Sequence, residues 1–336
     1  MHATEPLAAP AIDVVAIGAS AGGLQPLRTI VAALPDDLPA TVLVVVHVSA
    51  TGTSVLPQIL QRGTGMDVPI ADDGIPLRAG RIIVAPPDRH LLVEDGRVRL
   101  SRGPRENGHR PAIDPLLRSL ADAYGPRAAG VILSGTRDDG ALGLAELKRA
   151  GGIAIVQDPD EAEYPSMPSS AMQATAVDAA LTAARLAPAL VALACGRELP
   201  LAAPDRAPAP LFPTGGTPLT ITCPDCGGIL TEEDTPGVIH FRCQVGHAFS
   251  ARSLLAHHAE GVERAMWTAA RSLDDRATLL TRLADRARAA GNARGAERFD
   301  ANAHRSHDES RVIRGAISAL DDGLAADASH GLEALQ

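Results

Sequence analysis

Aromatic residues are scarce in this chain: one Trp, two Tyr and four Phe among 336 residues. Stacking platforms for nucleobases need more aromatic surface than that. An excess of positive charge is also missing, since 31 basic residues stand against 40 acidic ones, for a net charge of −9. A chain of that sign is a poor binder of phosphate backbones, so no nucleic-acid partner is expected. Long apolar runs are lacking too. The stretch from Ala40 to Val48 is too short to span a bilayer and contains a His, so no membrane insertion is expected. Met1 to Ala11 has no basic region leading into an apolar segment, which argues against a secretory leader and for a cytoplasmic location. Four cysteines are too few for a disulfide scaffold. Cys195 stands alone, whereas Cys223, Cys226 and Cys243 cluster as metal ligands do in a reducing compartment.

What is present is ordinary globular composition, 46 % apolar and 21 % charged, in a length that suits two domains at about 150 residues each. Between Ile12 and Ala194, short β-branched runs alternate with Ala/Leu-rich stretches. Ile12–Ile17, Thr41–Val48, Arg81–Val84, Ala129–Leu133 and Gly152–Val156 read as buried strands. Leu24–Leu34, Ser54–Gln61, Ile113–Tyr124, Leu142–Ala150 and Ala180–Ala194 read as helices. That alternation predicts an α/β fold, a doubly wound and mostly parallel sheet with helices on both faces. Leu91–Leu100 alternates around Asp95-Gly96 and predicts a hairpin. Residues 1–11 read as a flexible tail and 12–197 as the α/β domain. Residues 198–218 read as a Pro-rich linker between the α/β domain and the C-terminal third of the chain. That third holds a small Cys/His unit over 219–250, a helical hairpin over 251–320 and a tail over 321–336.

Gly18-Ala19-Ser20-Ala21-Gly22-Gly23 follows the first strand and precedes the first helix. It fits G-x-S-x-G, whose tight turn lifts a Ser hydroxyl above the C-terminal edge of a sheet. There the free N–H groups of the new helix can face an oxyanion. The competing reading is a dinucleotide phosphate turn. It needs G-x-G-x-x-G and an acidic residue ending the second strand, and both are missing. The second strand instead runs into His47, which places an imidazole at the same edge as Ser20 and makes it a candidate general base. A third strand end carries Asp138 and Asp139, either of which suits the acid that orients the imidazole.

These residues resemble the catalytic domain of the CheB-type chemotaxis methylesterases over 12–195. The matching pieces are Ile17 to Gly23, Val46-His47, Val84 to His90, Asn107-Gly108-His109-Arg110-Pro111, Leu133-Ser134-Gly135 with Asp139-Gly140, and Met167-Pro168. The resemblance implies Ser20 as nucleophile, His47 as base and Asp139, the acid before the glycine, as the orienting carboxylate. It implies hydrolysis of γ-glutamyl methyl esters on methylated chemoreceptors or similar signalling proteins, without a catalytic cofactor. The rival functions are a protein-glutamine deamidase using the same three residues and a non-catalytic signalling scaffold. The chain departs from the family pattern at Ala21, usually Thr, and at Thr136-Arg137, where Met-Gly is usual. A backbone N–H at Thr136 can still serve as oxyanion donor. With only about a dozen residues before the first strand, no receiver domain is expected. His90 is expected to be a loop His bonded to backbone, and His109 and Arg110 to shape the cleft.

Cys223-Pro224-Asp225-Cys226 and, after sixteen intervening residues, Cys243-Gln244-Val245-Gly246-His247 supply three thiolates and an imidazole. That set predicts a zinc ribbon with a closed, structural Zn²⁺ site; His240, His257 and His258 are alternative fourth ligands. Residues 250–320 carry twelve Arg against nine acidic residues, interleaved with no basic block, so a protein-contact module is expected. Val262, Met266, Ala269, Leu273, Leu280 and Ala287 predict an apolar seam, to be covered by a second helix with Phe299, Val312, Ile313 and Ile317 or by another copy in a homodimer.

Overall fold

The computed structural model describes residues 11–47, 54–197, 221–235 and 238–330. The proposed linker, the first ten residues and the last six lie outside the described residues. The chain divides into two compact units, 1–254 and 255–336.

The first unit runs β1 (Val14–Ala19), α1 (Leu24–Ala33), β2 (Thr41–Val46), α2 (Leu56–Gln61), β3 (Arg81–Val84), β4 (His90–Glu94), β5 (Arg97–Ser101), α3 (Ile113–Tyr124), β6 (Ala128–Ile132), α4 (Ala141–Arg149), β7 (Ile153–Gln157), α5 (Ser166–Ala174), β8 (Ala179–Leu181) and α6 (Ala183–Ala194). Six strands form one sheet in the order β3-β2-β1-β6-β7-β8. All neighbours are parallel. Parallel strands buried on both faces need near-continuous apolar runs, and β1 and, after Thr41, β2 meet that need. Val15 and Ile17 join α1 and α6 in one core through Leu27, Ile30, Leu186 and Leu190. Val14 and Ala16 face the other, with Leu116, Leu117 and Leu120 of α3 and Leu144 and Leu147 of α4. The β4–β5 hairpin packs Leu91, Val93 and Val98 into that second core.

The strand order reverses between β1 and β6. In open α/β sheets, a crevice forms beyond the strand C-termini at that point.

Two elements were not legible in sequence. Ala179–Leu181 is a strand rather than the start of the last helix, because its short apolar run pairs with Ile155–Gln157 at the sheet edge. Helix α5 contains Pro168, which sits in the first turn, where a missing N–H costs nothing.

The Cys/His unit is a three-stranded antiparallel sheet of β9 (Leu230–Thr235), β10 (Val238–Cys243) and β11 (Ala248–Ser250). Its small core holds Leu230, Phe241, Phe249 and Leu254. The Pro-rich stretch predicts a separate module, yet residues 221–254 belong to the same compact unit as the α/β sheet. Hydrogen bonds from β11 to residues 105–107 join them.

The second unit contains the body of α7 (Ala251–Ala289) and α8 (Ala293–His330). Its seam differs from expectation. Ile317 is buried as expected, but the other buried residues are Ala270, Ala277 and Ala284 on α7 and Ala296, Ala303, Ser306 and Ser310 on α8, whereas Val262 is 52 % exposed and Val312 73 %. The largest apolar groups suggested one face, but close helix approach selects the smallest side chains. The Ser310 hydroxyl reaches the Ala270 carbonyl at 3.2 Å, and Arg314 pairs with Asp274 at 2.6 Å. No described helix is long and apolar enough to cross a membrane.

Candidate active site

The site forms where β1 and β2 end together. Ala19 pairs with Val46, so the next residues, Ser20 and His47, are neighbours across the edge. The Ser20 N–H donates to Ser134 O at 3.0 Å, tying the turn to the end of β6, and the His47 N–H donates to Ala19 O at 3.1 Å. His47 Nδ1 lies 3.1 Å from Ser20 Oγ, and His47 Nε2 lies 2.7 Å from Asp139 Oδ2. The carboxylate holds the ring proton on Nε2 and leaves Nδ1 as the acceptor facing the hydroxyl. The ring therefore serves the opposite nitrogens from those of the serine-protease triad.

Asp139 stands between β6 and α4 because Gly140 adopts φ +95° at the helix start, a conformation a side chain would strain. Its carboxylate is buried and takes four donors. Oδ2 accepts from His47 Nε2 and from the Ile113 N–H at 2.7 Å. Oδ1 accepts from Asn107 Nδ2 at 3.0 Å and from the Asp114 N–H at 3.3 Å. Ile113 and Asp114 open α3, whose free N–H groups favour an anion there. Burial opposes ionisation of Asp139. The hydrogen bond and charge of His47, the charge of His109 and the Ile113 N–H outweigh it, holding the carboxyl below its usual range. Burial, then the neighbouring Asp139 charge, pushes Asp114 the other way.

Around this line the packing is tight. A Cβ on Gly135 would lie 2.0 Å from Met167 Sδ and 2.8 Å from Ser20 Cβ, so the nucleophile turn tolerates only glycine beside it. The Ser134 hydroxyl donates to Ala21 O at 2.9 Å and accepts from the Tyr164 N–H at 2.9 Å. The His109 ring stacks on His47, with ring centroids 3.7 Å apart and the planes nearly parallel. Arg110 grips Asp88 and the carbonyls of Arg102 and Gly103. His90 is buried, its Nε2 bonded to Pro104 O and its Nδ1 to the Ala112 N–H. Asp138, the adjacent acid, faces away from His47 and accepts the Ser253 hydroxyl at 2.7 Å.

Asp114 and Ser134 carried no assigned role in the sequence. An acid one residue inside a helix, and a Ser-Gly closing a buried strand, were the available signals.

Residues 15–190 match the family model described as CheB methylesterase. The chain belongs to the CheB methylesterase family. A protein-glutamate methylesterase/protein-glutamine glutaminase of Anaeromyxobacter dehalogenans is 41 % identical over 176 residues, covering 52 % of each chain. A Leptospira interrogans relative bearing the same two activities in its name is 37 % identical over 182 residues, covering 54 % of this chain and 94 % of that one. The crystal structure of the Thermotoga maritima CheB methylesterase catalytic domain superposes with a TM-score of 0.52 at 31 % identity, over 55 % of this chain and all of that one. The Cys/His unit and the helical hairpin of this CheB-family chain lie beyond the matched residues.

Cys223, Cys226, Cys243 and His247 bring their donor atoms within 4.8 Å of one another. Cys223 Sγ and Cys243 Sγ lie 3.7 and 3.5 Å from His247 Nδ1, and Cys226 Sγ lies 3.6 Å from Cys243 Sγ. Burial pushes the Cys223 thiol up to about 12. At Cys243 burial acts in the same sense, but hydrogen bonds with Cys226 and His247 bring the thiol down to about 6. His240 takes no part in this cluster and pairs with Glu233.

Proposed function

We propose that this chain is a protein-glutamate methylesterase working through Ser20, His47 and Asp139. The observation that carries the reading is the continuous line from Ser20 Oγ through His47 to a buried carboxylate, set at the crevice of the sheet. In this reading His47 Nδ1 takes the Ser20 proton as Oγ bonds to the ester carbonyl carbon. The imidazolium is stabilised by Asp139 and returns the proton to the departing methoxide, giving methanol and an acyl-serine. Water, deprotonated by the same Nδ1, then releases the glutamate carboxylate and restores Ser20. The Thr136 backbone N–H is the candidate oxyanion donor, and Asp139 acts without taking a proton. The substrate is a γ-glutamyl methyl ester on a chemoreceptor-like signalling protein. The paired activities in the relatives' names support testing glutamine side chains at the same site.

The Cys/His unit in this proposal holds one structural Zn²⁺. A zinc tetrahedron with Zn–S of about 2.3 Å and Zn–N of about 2.0 Å has S···S edges of about 3.8 Å and S···N edges of about 3.5 Å. Three of the six donor separations, at 3.5 to 3.7 Å, suit those edges, and all six lie within 4.8 Å. Four protein donors leave no position for substrate, so the ion would hold structure and not touch the reacting atoms. The hairpin is a partner or homodimer platform in this reading; exposed Val262, Leu279 and Val312 support it.

Methanol release from methylated receptor membranes tests the activity. Ser20→Ala and His47→Ala should each lower it by about 10⁴-fold or more. Full turnover in Ser20→Ala removes the covalent mechanism. Elemental analysis should return one zinc per chain, lost in Cys243→Ser.

A further inference from the structure

A metal unit that served only its own folding would have no need to bond the loops that hold Asp139. This one is joined to them at three places. Along a short seam the Asn107 N–H donates to Ala248 O at 2.8 Å, and the Ala248 N–H donates to Arg105 O at 3.3 Å. The Ser250 N–H donates to Asn107 Oδ1 at 3.0 Å. One helical turn on, the Ser253 hydroxyl donates to Asp138 Oδ1, while the Ser253 N–H donates to Ser250 Oγ at 3.1 Å. All of these groups lie within the first compact unit.

Asn107 links the two sides. It is 1 % exposed, and its amide is fully used. Nδ2 donates to Asp114 Oδ2 at 2.9 Å and to Asp139 Oδ1 at 3.0 Å, which leaves Oδ1 for Ser250. Turned over, the amide would aim its NH₂ at the Ser250 N–H and its carbonyl at the Asp139 carboxylate. The ribbon's backbone thus completes the set of partners that fixes which way the amide faces. Without Ser250, a buried Oδ1 would lose its donor, and such a group is costly to leave unpaired.

We infer that the Cys/His unit positions the Ser20–His47–Asp139 line, with Asn107, Ser250 and Ser253 as positioning residues. His247, a proposed metal ligand, is joined by one peptide bond to Ala248, the first residue of the seam. Metal binding holds β11, β11 holds Asn107, and Asn107 holds Asp139 against His47. The inference rests on the esterase and metal readings above, and its tests separate from theirs. Misplacing a catalytic group by a fraction of an ångström slows the reaction without changing what binds, so the effect belongs in kcat.

The experiment uses the full chain, with a small soluble methyl ester as substrate and amide hydrogen exchange as a second readout. Removing zinc with a chelator should lower kcat by about tenfold with KM nearly unchanged. It should speed exchange of the Asn107 and Ser250 amides, and restored zinc should reverse both effects. Asn107→Ala should start from a reduced kcat, and chelation should then lower it little further, because both act through one amide. An equally large chelation effect in Asn107→Ala overturns the route through Asn107. Unchanged exchange and kcat in zinc-free protein overturn the coupling. If the purified chain holds no zinc, the metal reading fails alone, and Ser253→Ala still tests the seam. Ser253→Ala should speed exchange at Asn107 and lower kcat, with Ser253→Thr restoring both; no change in either readout overturns the positioning role. The exchange readout stands even if the ester is not turned over.

Discussion

Replacing Asp139 by Asn is the most discriminating single perturbation of the proposed site. The carboxylate accepts from four donors and gives none: His47 Nε2 and the Ile113 N–H on Oδ2, Asn107 Nδ2 and the Asp114 N–H on Oδ1. An amide keeps one oxygen and turns the other into a donor. With the NH₂ at the Oδ1 position, it faces two N–H donors and loses both bonds. With the NH₂ at the Oδ2 position, it loses the Ile113 bond and can satisfy His47 only if the ring moves its proton to Nδ1. That tautomer presents a donor to Ser20 Oγ, and the base is gone. The wrong tautomer in a comparable triad costs about 10⁴-fold in kcat, or about 5.5 kcal/mol at ~1.36 kcal/mol per tenfold. Each buried donor left unpaired costs about 1–3 kcal/mol of stability, two of them with the NH₂ at the Oδ1 position and the Ile113 N–H alone at the Oδ2 position once the ring has switched. The assay is methanol release from a soluble methyl ester and from methylated receptor membranes, with urea denaturation run in parallel. Asp138→Asn is the control, because an amide oxygen can still accept the Ser253 hydroxyl. Near-normal turnover in Asp139→Asn, or a crippled Asp138→Asn beside a silent Asp139→Asn, would refute the assignment.

The packing and the charges set two further outcomes. Gly135→Ala sets a methyl 2.0 Å from Met167 Sδ and 2.8 Å from Ser20 Cβ. It should lower stability by about 1–3 kcal/mol and displace the nucleophile, read as a lower Tm together with a lower kcat. The pH dependence has a defined sign. The folded pKa of Asp139 lies below its ordinary 3.8, so its stabilisation is present above that value and is lost as pH falls through the folded pKa. Stability measured by denaturant titration should fall with acidification below about pH 4, and Asp139→Asn should flatten that part of the curve. An unchanged slope in the variant would assign the acid sensitivity to other carboxylates.

The sequence by itself determined the alternation of buried strands and helices, and the small-residue turn that presents Ser20. It also placed His47 at the next strand's end and spaced Cys223, Cys226, Cys243 and His247 as a ligand set. Each of these is a local signal, carried by residue type and spacing along a few neighbouring positions. The tertiary structure decided the rest, because the remaining partners are far apart in the chain. It separated Asp138 from Asp139, one turned to Ser253 and the other to His47. It set Asp114 beside Asp139 and ran β11 alongside residues 105–107 across more than a hundred intervening residues. On the helical hairpin it chose Ala270, Ala277 and Ala284 over the bulkier residues as the seam. Spacing reports which face of an element is apolar. How near two backbones come, and which buried donor meets which buried acceptor, is fixed only when distant segments pack together.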